Sequence, residues 1–387
     1  MSGVLRSVWL IAAALAMMPI LLFSYRAFGL VELAFWAGAL PASAISWRWL
    51  KGLPWWPVFL VALLLYACVS ILWSPSSRAA DALVYIPLVL TGSQLIVHGR
   101  MRPELFMWCV FGAVAVLLAD AATGNLLRDL VPPPNTALKD AVFTGRGLTL
   151  ALLLVPAAAL ISYRTGGWRG GRGMIILAGL AAASTPVMVN GAMLLSGLAA
   201  MVVTALRPAL GLRLVLAGVG LALAAPFVLA AVLPDAQVLA SVTALPESTV
   251  HRLIIWRTVL DAWLSGATLF GEGARASSEL FRAAGDITLA SGSVLPRVSV
   301  HPHNWPIEVL YELGLAGYAL LLLAYAAGAR ALLHARMGRD MAAAIAALVT
   351  GAVVVMLLDY SMWSEFMPCA LVVGAWALRL GARVRLR

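Results

Sequence analysis

Two histidines and five arginines stand out in a chain that is otherwise almost entirely apolar. The segment Leu233 to Asn304 holds Arg252, Arg257, Arg275, Arg282 and Arg297, and it ends in His301-Pro302-His303-Asn304. Arginine in that number points to an anionic ligand, which its planar fork binds through two parallel hydrogen bonds. Asn304 suits a helix N-cap and Pro306 a first helical turn. His303 then sits beside free backbone N–H groups and the positive end of a helix dipole. That position favours a phosphate-bearing ligand and a neutral imidazole able to take a proton.

One reaction joins these parts: glycosyl transfer from a lipid-linked diphosphate sugar. An acceptor hydroxyl attacks the anomeric carbon, arginine stabilises the departing diphosphate, and a base removes the hydroxyl proton. Single displacement inverts the anomeric configuration. No Asp-x-Asp occurs in the chain, and no phosphate-binding glycine loop or His-Glu-x-x-His, so transfer is expected to need no metal and no cofactor.

The elements that must position this chemistry are membrane helices. Of 387 residues, 63% are hydrophobic and 11% charged, a ratio that excludes an ordinary soluble protein. The expected fold is an all-α integral membrane protein of about twelve spans, near 7–24, 29–47, 55–73, 82–98, 104–122, 147–163, 173–188, 191–206, 212–232, 305–328, 341–358 and 364–380. Residues 173–206 are too long for one span, and a break is expected at Asn190-Gly191. Residues 7–24 read as a retained first span, since Ser24-Tyr25-Arg26 is a poor cleavage site. Cys68, Cys109 and Cys369 all fall in apolar segments and read as packing residues.

The organisation is therefore one integrated domain: spans one to nine over 1–232, a catalytic loop over 233–304, and spans ten to twelve over 305–387. The net charge of +10 does not indicate nucleic acid, because the basic residues lie in connectors. Seventeen of the 27 Lys and Arg fall on one face, while outside the long loop the other face carries five. By the positive-inside rule both termini are expected to be cytoplasmic and the long, partly helical loop outside, which in a Gram-negative cell would mean the periplasm. Apart from a connector near 123–146, the other outer connectors are read as turns.

Within the loop, 248–264 is expected to be an amphipathic helix with Ser248 as its N-cap. Leu253, Ile254, Trp256, Leu260 and Trp263 form its apolar stripe, and it is expected to lie at the membrane surface. Arg257 and Asp261 are spaced to pair. A short helix is expected over 277–284. Glu308 and Glu312 share one face of the tenth span, and Trp55, Trp56, Trp305 and Trp363 read as interface anchors.

His303-Asn304, followed by Glu308-Val309-Leu310-Tyr311-Glu312-Leu313-Gly314 and Gly317, resembles a signature of the O-antigen ligase and polymerase superfamily. Arg252-x-x-x-Trp256 followed by Leu269-Phe270-Gly271-Glu272-Gly273 resembles its upstream half, and the twelve-span topology with a large loop between spans nine and ten is similar. The resemblance implies transfer of an O-antigen glycan from undecaprenyl diphosphate to the lipid A-core oligosaccharide, at the outer face of the bacterial inner membrane. It implies His303 as base and Arg252 as diphosphate ligand. Arg146, in Phe143-Thr144-Gly145-Arg146-Gly147, is a further phosphate ligand candidate. Where many members carry Ser-Arg near the outer end of a middle span, this chain reads Val189-Asn190-Gly191, which shifts weight to Arg146. Asn304, Arg257, His251 and Glu308 complete the candidate substrate-binding set.

The nearest alternative is a polymerase that joins lipid-linked repeat units; the single dominant loop favours the ligase. A multi-span transporter predicts two related halves and a midplane site, and neither is evident in the sequence.

Overall fold

The computed structural model describes residues 55–86, 92, 95–96, 101–124, 126, 140–183, 188–266, 268–364 and 366–384. The first two expected spans and most of the fourth lie outside the described residues. The described chain is a helical, membrane-embedded protein. Its long elements are α1 (Trp55–Val69), α2 (Pro103–Ala122), α3 (Asp140–Ala183), α4 (Met188–Leu206) and α5 (Pro208–Val232). After a loop region come α9 (Trp305–His334), α10 (Arg339–Leu358) and α11 (Phe366–Ala382). Six stretches among the described residues are long and apolar enough to cross a membrane: Pro103–Ala122, Gly147–Gly166, Met188–Leu206, Pro208–Val232, Trp305–His334 and Arg339–Leu358. Two shorter apolar helices accompany them, Val58–Leu72 and Met367–Ala382.

Proline sets several of the starts. Pro103, Pro208 and Pro306 each lie at the first or second helical position, where the missing N–H would have no partner in any case. The reversal between α4 and α5 turns on Arg207 alone, and a Cβ on Gly211 would meet Thr204 Oγ1 at 2.2 Å. Only glycine lets the two helices approach so closely there.

The helical run of α3 is not one straight rod. A Cβ on Gly170 would lie 2.6 Å from Ser162 Oγ, whereas eight residues of straight helix rise about 12 Å. The chain therefore folds back between them, at the expected connector after span six. The expected break at Asn190-Gly191 is not there: both residues lie inside α4. Asn190 is fully buried and accepts a hydrogen bond from Thr149 Oγ1 of α3 at 2.5 Å. This pairing removes the cost of an amide inside the apolar core, so the polar residue does not have to end the helix.

Two apolar cores result. One joins α2, α3, α4, α10 and α11 around Trp376, Phe106 and Leu148. The other joins α1, α5, α9 and the 3₁₀ turn Ala79–Val84 to the loop region, around Tyr85, Ile255, Leu310 and Tyr318. Glycosyl-transfer candidates lie at the second.

Between α5 and α9 the chain forms α6 (Ala236–Ala240), α7 (Glu247–Ser265), α8 (Ser277–Ala283) and a small antiparallel hairpin, β1 (Asp286–Thr288) with β2 (Val294–Pro296). Ile287 faces Leu295 across the hairpin, and Gly292 turns it with φ of 87°. The hairpin has no counterpart in the sequence expectations, because three-residue strands carry too short an alternation to read. The N-cap of α7 is Pro246 rather than Ser248, which falls within the first turn. Of the apolar stripe expected to lie on a membrane surface, Ile254, Leu260 and Trp263 are buried and Leu253 and Trp256 half-buried. Ile254, Ile255, Val259, Leu260 and Trp263 are buried in protein, against α9, α5 and the hairpin.

Candidate functional site

The glycines of the loop motif have a structural partner. Helix α9 is broken at Gly314, whose φ of 61° and ψ of −169° are nearly exclusive to glycine. A mid-helix break strands backbone groups that must find partners. Here the loop supplies them: Glu272 and Gly273 N–H donate to the Tyr311 and Glu312 carbonyls at 3.1 and 2.8 Å. Leu315 and Ala316 N–H donate to the Thr268 and Leu269 carbonyls at 3.0 and 2.9 Å. Gly271 (φ 74°) lies so close that a Cβ there would sit 2.3 Å from the Glu312 oxygen. Beyond the break, residues 315–334 remain, about the length that spans a bilayer core.

Helix α1 and the connector after it also fasten this loop. Tyr66 OH donates to the Phe270 carbonyl, Trp73 Nε1 to Gly271 O, and Ser74 Oγ to Ala274 O, at 2.9, 3.1 and 2.5 Å. Arg275 pairs with Asp81 at 2.9 Å and Arg282 with Glu279 at 2.5 Å. Both cations thus have carboxylate partners.

Two buried carboxylates extend the network. Glu312 accepts from Arg275 N and Ser277 N at 2.8 and 3.0 Å, and from Trp363 Nε1. Glu308, 1% exposed, accepts from Ser361 Oγ and Met362 N at 2.5 and 2.6 Å. The carboxylate read as a substrate ligand therefore faces the α10–α11 connector. Trp363 is not a lipid-facing anchor: it is 3% exposed and stacked obliquely on Tyr85. The connectors after α1 and between α10 and α11, read as turns from the sequence, are hydrogen-bonded parts of this region.

His303 lies where the sequence places it, immediately before the Asn304 cap, whose side chain accepts from Ile307 N at 3.2 Å. Its own φ is 51°, the left-handed region, uncommon for a residue with a side chain. Its Nδ1 is 3.0 Å from the Asp359 carbonyl. A carbonyl only accepts, so Nδ1 carries the hydrogen, and in the neutral ring the lone pair is on Nε2. His301 Nδ1 accepts from His303 N at 3.3 Å, and the two rings lie 4.2 Å apart.

Arg252 is brought near this corner by α7. Trp256, one helical turn on and on the same face, donates from Nε1 to Pro302 O at 3.0 Å. Arg252 is half-buried and makes no ion pair or side-chain hydrogen bond among the described residues. Its neighbours are committed to structure. His251 Nε2 meets Pro296 O at 2.7 Å and holds the hairpin to α7. Arg257 pairs with Asp261 at 2.8 Å, as its spacing predicts, and donates to the Ala230 and Leu233 carbonyls at 3.2 and 2.8 Å. It caps the C-terminal end of α5, where carbonyls lack helical partners. Arg146 lies in the first part of α3, and its side chain is outside the described residues.

The contribution that sequence reasoning missed is the Asp359–Ser364 connector. Its one signal was local, a polar Asp359-Tyr360-Ser361 interruption between two apolar runs. Comparison with known proteins leaves the site to its own chemistry: no family model matches the chain, and no curated protein matches it.

Proposed function

We propose that this protein is a membrane glycosyltransferase of the O-antigen ligase type. It moves a glycan from undecaprenyl diphosphate to the lipid A-core oligosaccharide on the face that carries the long loop. The observation that carries the reading is the conjunction at the start of α9. His303 is held with its lone pair on Nε2, and Arg252, with no ion-pair partner among the described residues, stands one helical turn from the Trp256–Pro302 contact. The left-handed backbone at His303 adds support, since such strain concentrates at functional positions.

In this mechanism the acceptor hydroxyl gives its proton to His303 Nε2 as its oxygen attacks the anomeric carbon. The bond from that carbon to the diphosphate breaks, and the electron pair leaves on the diphosphate oxygen. Arg252 binds that developing charge through two N–H groups, and the configuration inverts. Arg146 is a second candidate for the same anion. Glu308, Arg257 and His251 support the scaffold in this reading, and Asn304 fixes the helix start.

The test is reconstituted transfer with purified undecaprenyl-diphosphate glycan and lipid A-core in EDTA. Wild type is expected to ligate, with His303→Ala and Arg252→Ala each reduced by about 10²-fold or more. Lengthening of the lipid-linked glycan without modification of lipid A-core would replace the ligase reading with the polymerase one. Full activity in both variants would remove the proposed site.

A further inference from the structure

The bonds around His303 close a ring. His303 enters α9 through Asn304, and one turn later Glu308 N donates to Asn304 O at 3.0 Å. The Glu308 carboxylate leaves the helix to accept from Ser361 Oγ and Met362 N. Trp363 N in turn donates to Ser361 Oγ at 3.1 Å, and its indole is tied to Glu312. Two residues before Ser361, the Asp359 carbonyl meets His303 Nδ1. Asp359 N is anchored to Val355 O at 3.0 Å, at the end of α10. The connector is therefore fixed at both ends, and its one carbonyl directed at the imidazole has little freedom to turn away.

We propose that the Asp359–Trp363 connector is the orienting partner of His303, and that Glu308 is a positioning residue that sets the tautomer of that imidazole by holding the connector in place. The catalytic consequence rests on the glycosyltransferase reading; the structural claim does not. A histidine base with the wrong nitrogen protonated cannot accept the acceptor's proton, however well it is placed. Glu308 fits this task better than ligand binding. Both carboxylate oxygens already accept hydrogen bonds from the connector, and the side chain is 1% exposed.

The test is nitrogen NMR of the full-length protein, labelled with ¹⁵N-histidine in lipid nanodiscs, with the His303 signals assigned by their loss in His303→Gln. Wild type is expected to show Nδ1 protonated and Nε2 bare. Glu308→Ala should mix the two tautomers. Glu308→Gln should keep the wild-type pattern, since its amide oxygen accepts from Met362 N while its NH₂ donates to Ser361 Oγ. In the transfer assay Glu308→Ala should lose about 10²-fold in kcat with donor KM little changed, and Glu308→Gln should recover most of that loss. An Nε2-protonated wild type overturns the proposal with no variant needed. An unchanged tautomer in folded Glu308→Ala also overturns it, and Ser361→Ala replaces that variant where it does not fold. If the tautomer behaves as expected but wild type transfers no glycan, the functional reading fails and the positioning role stands.

Discussion

Gly314→Ala tests the joint between loop and helix. The residue holds φ 61° and ψ −169°, where a side chain costs about 1–3 kcal/mol. The new Cβ would also lie 2.4 Å from Gly271 N and 2.5 Å from the Leu269 oxygen. These are backbone atoms of a segment pinned by Tyr66, Trp73 and Ser74, so the loop must retreat as a unit. Four backbone hydrogen bonds join residues 268–273 to 311–316. Losing half of them costs about 2 kcal/mol at a net of about 1 kcal/mol each. The expected destabilisation is about 3–5 kcal/mol, in the rare upper range for one substitution. The control lies in the same helix: a Cβ on Gly328 meets nothing within 4 Å, so Gly328→Ala should be neutral or stabilise by up to about 1 kcal/mol. Unfolding in mixed micelles measures both, and hydrogen exchange at the Glu272 and Gly273 amides reports the local opening. Equal stability of the two variants, with those amides still protected, would refute the interlocked-glycine account.

Other substitutions separate scaffold from site. Arg257→Ala should destabilise by about 1–3 kcal/mol in the same assay, through loss of the Asp261 pair and of the α5 cap. Arg257→Lys should restore little, since one ammonium cannot replace a fork that serves three acceptors. Arg252→Ala should leave unfolding within about 0.5 kcal/mol of wild type, as expected for a side chain with no polar partner among the described residues, while transfer falls. Asn190→Ala removes a buried hydrogen bond with Thr149 and should cost about 1 kcal/mol; unchanged thermal unfolding would contradict that pairing. Trp363→Phe removes one donor from the buried Glu312 carboxylate. It should lower stability by a similar amount, with a Tyr85 contact largely retained.

What the sequence reveals about this fold is set by the range of the interaction behind each signal. The Asn304 cap, Pro306 in the first turn, the short helix after Ser277 and the Arg257–Asp261 pair all act within four residues, and all are legible. Six apolar spans among the described residues are legible too, because a bilayer imposes its length on each helix separately. Contacts that close over longer separations are not. Gly271 reads as a chain breaker, but what it must approach is the Glu312 carbonyl, 41 residues later. Asn190 reads as a break, because nothing nearby reveals that Thr149 waits for it on another helix. Glu308 reads as a substrate ligand, when its donors come from residues 361 and 362.

The same distinction bears on the site. Residue types at the start of α9 identify a histidine and nearby cations, and that much suffices to name a class of chemistry. They do not say which arginine is free to act. In the structure Arg275, Arg282 and Arg257 are each held by a carboxylate, whereas Arg252 and Arg297, both half-buried, have no carboxylate partner among the described residues. A guanidinium of that kind gains a charge partner when an anion arrives. The paired arginines have no such gain to offer, since binding a phosphate would first require giving up a carboxylate. The unequal pairing of chemically identical side chains narrows the five to Arg252 and Arg297, and the place of Arg252 one turn from the Trp256–Pro302 contact argues for it as the one to meet the diphosphate.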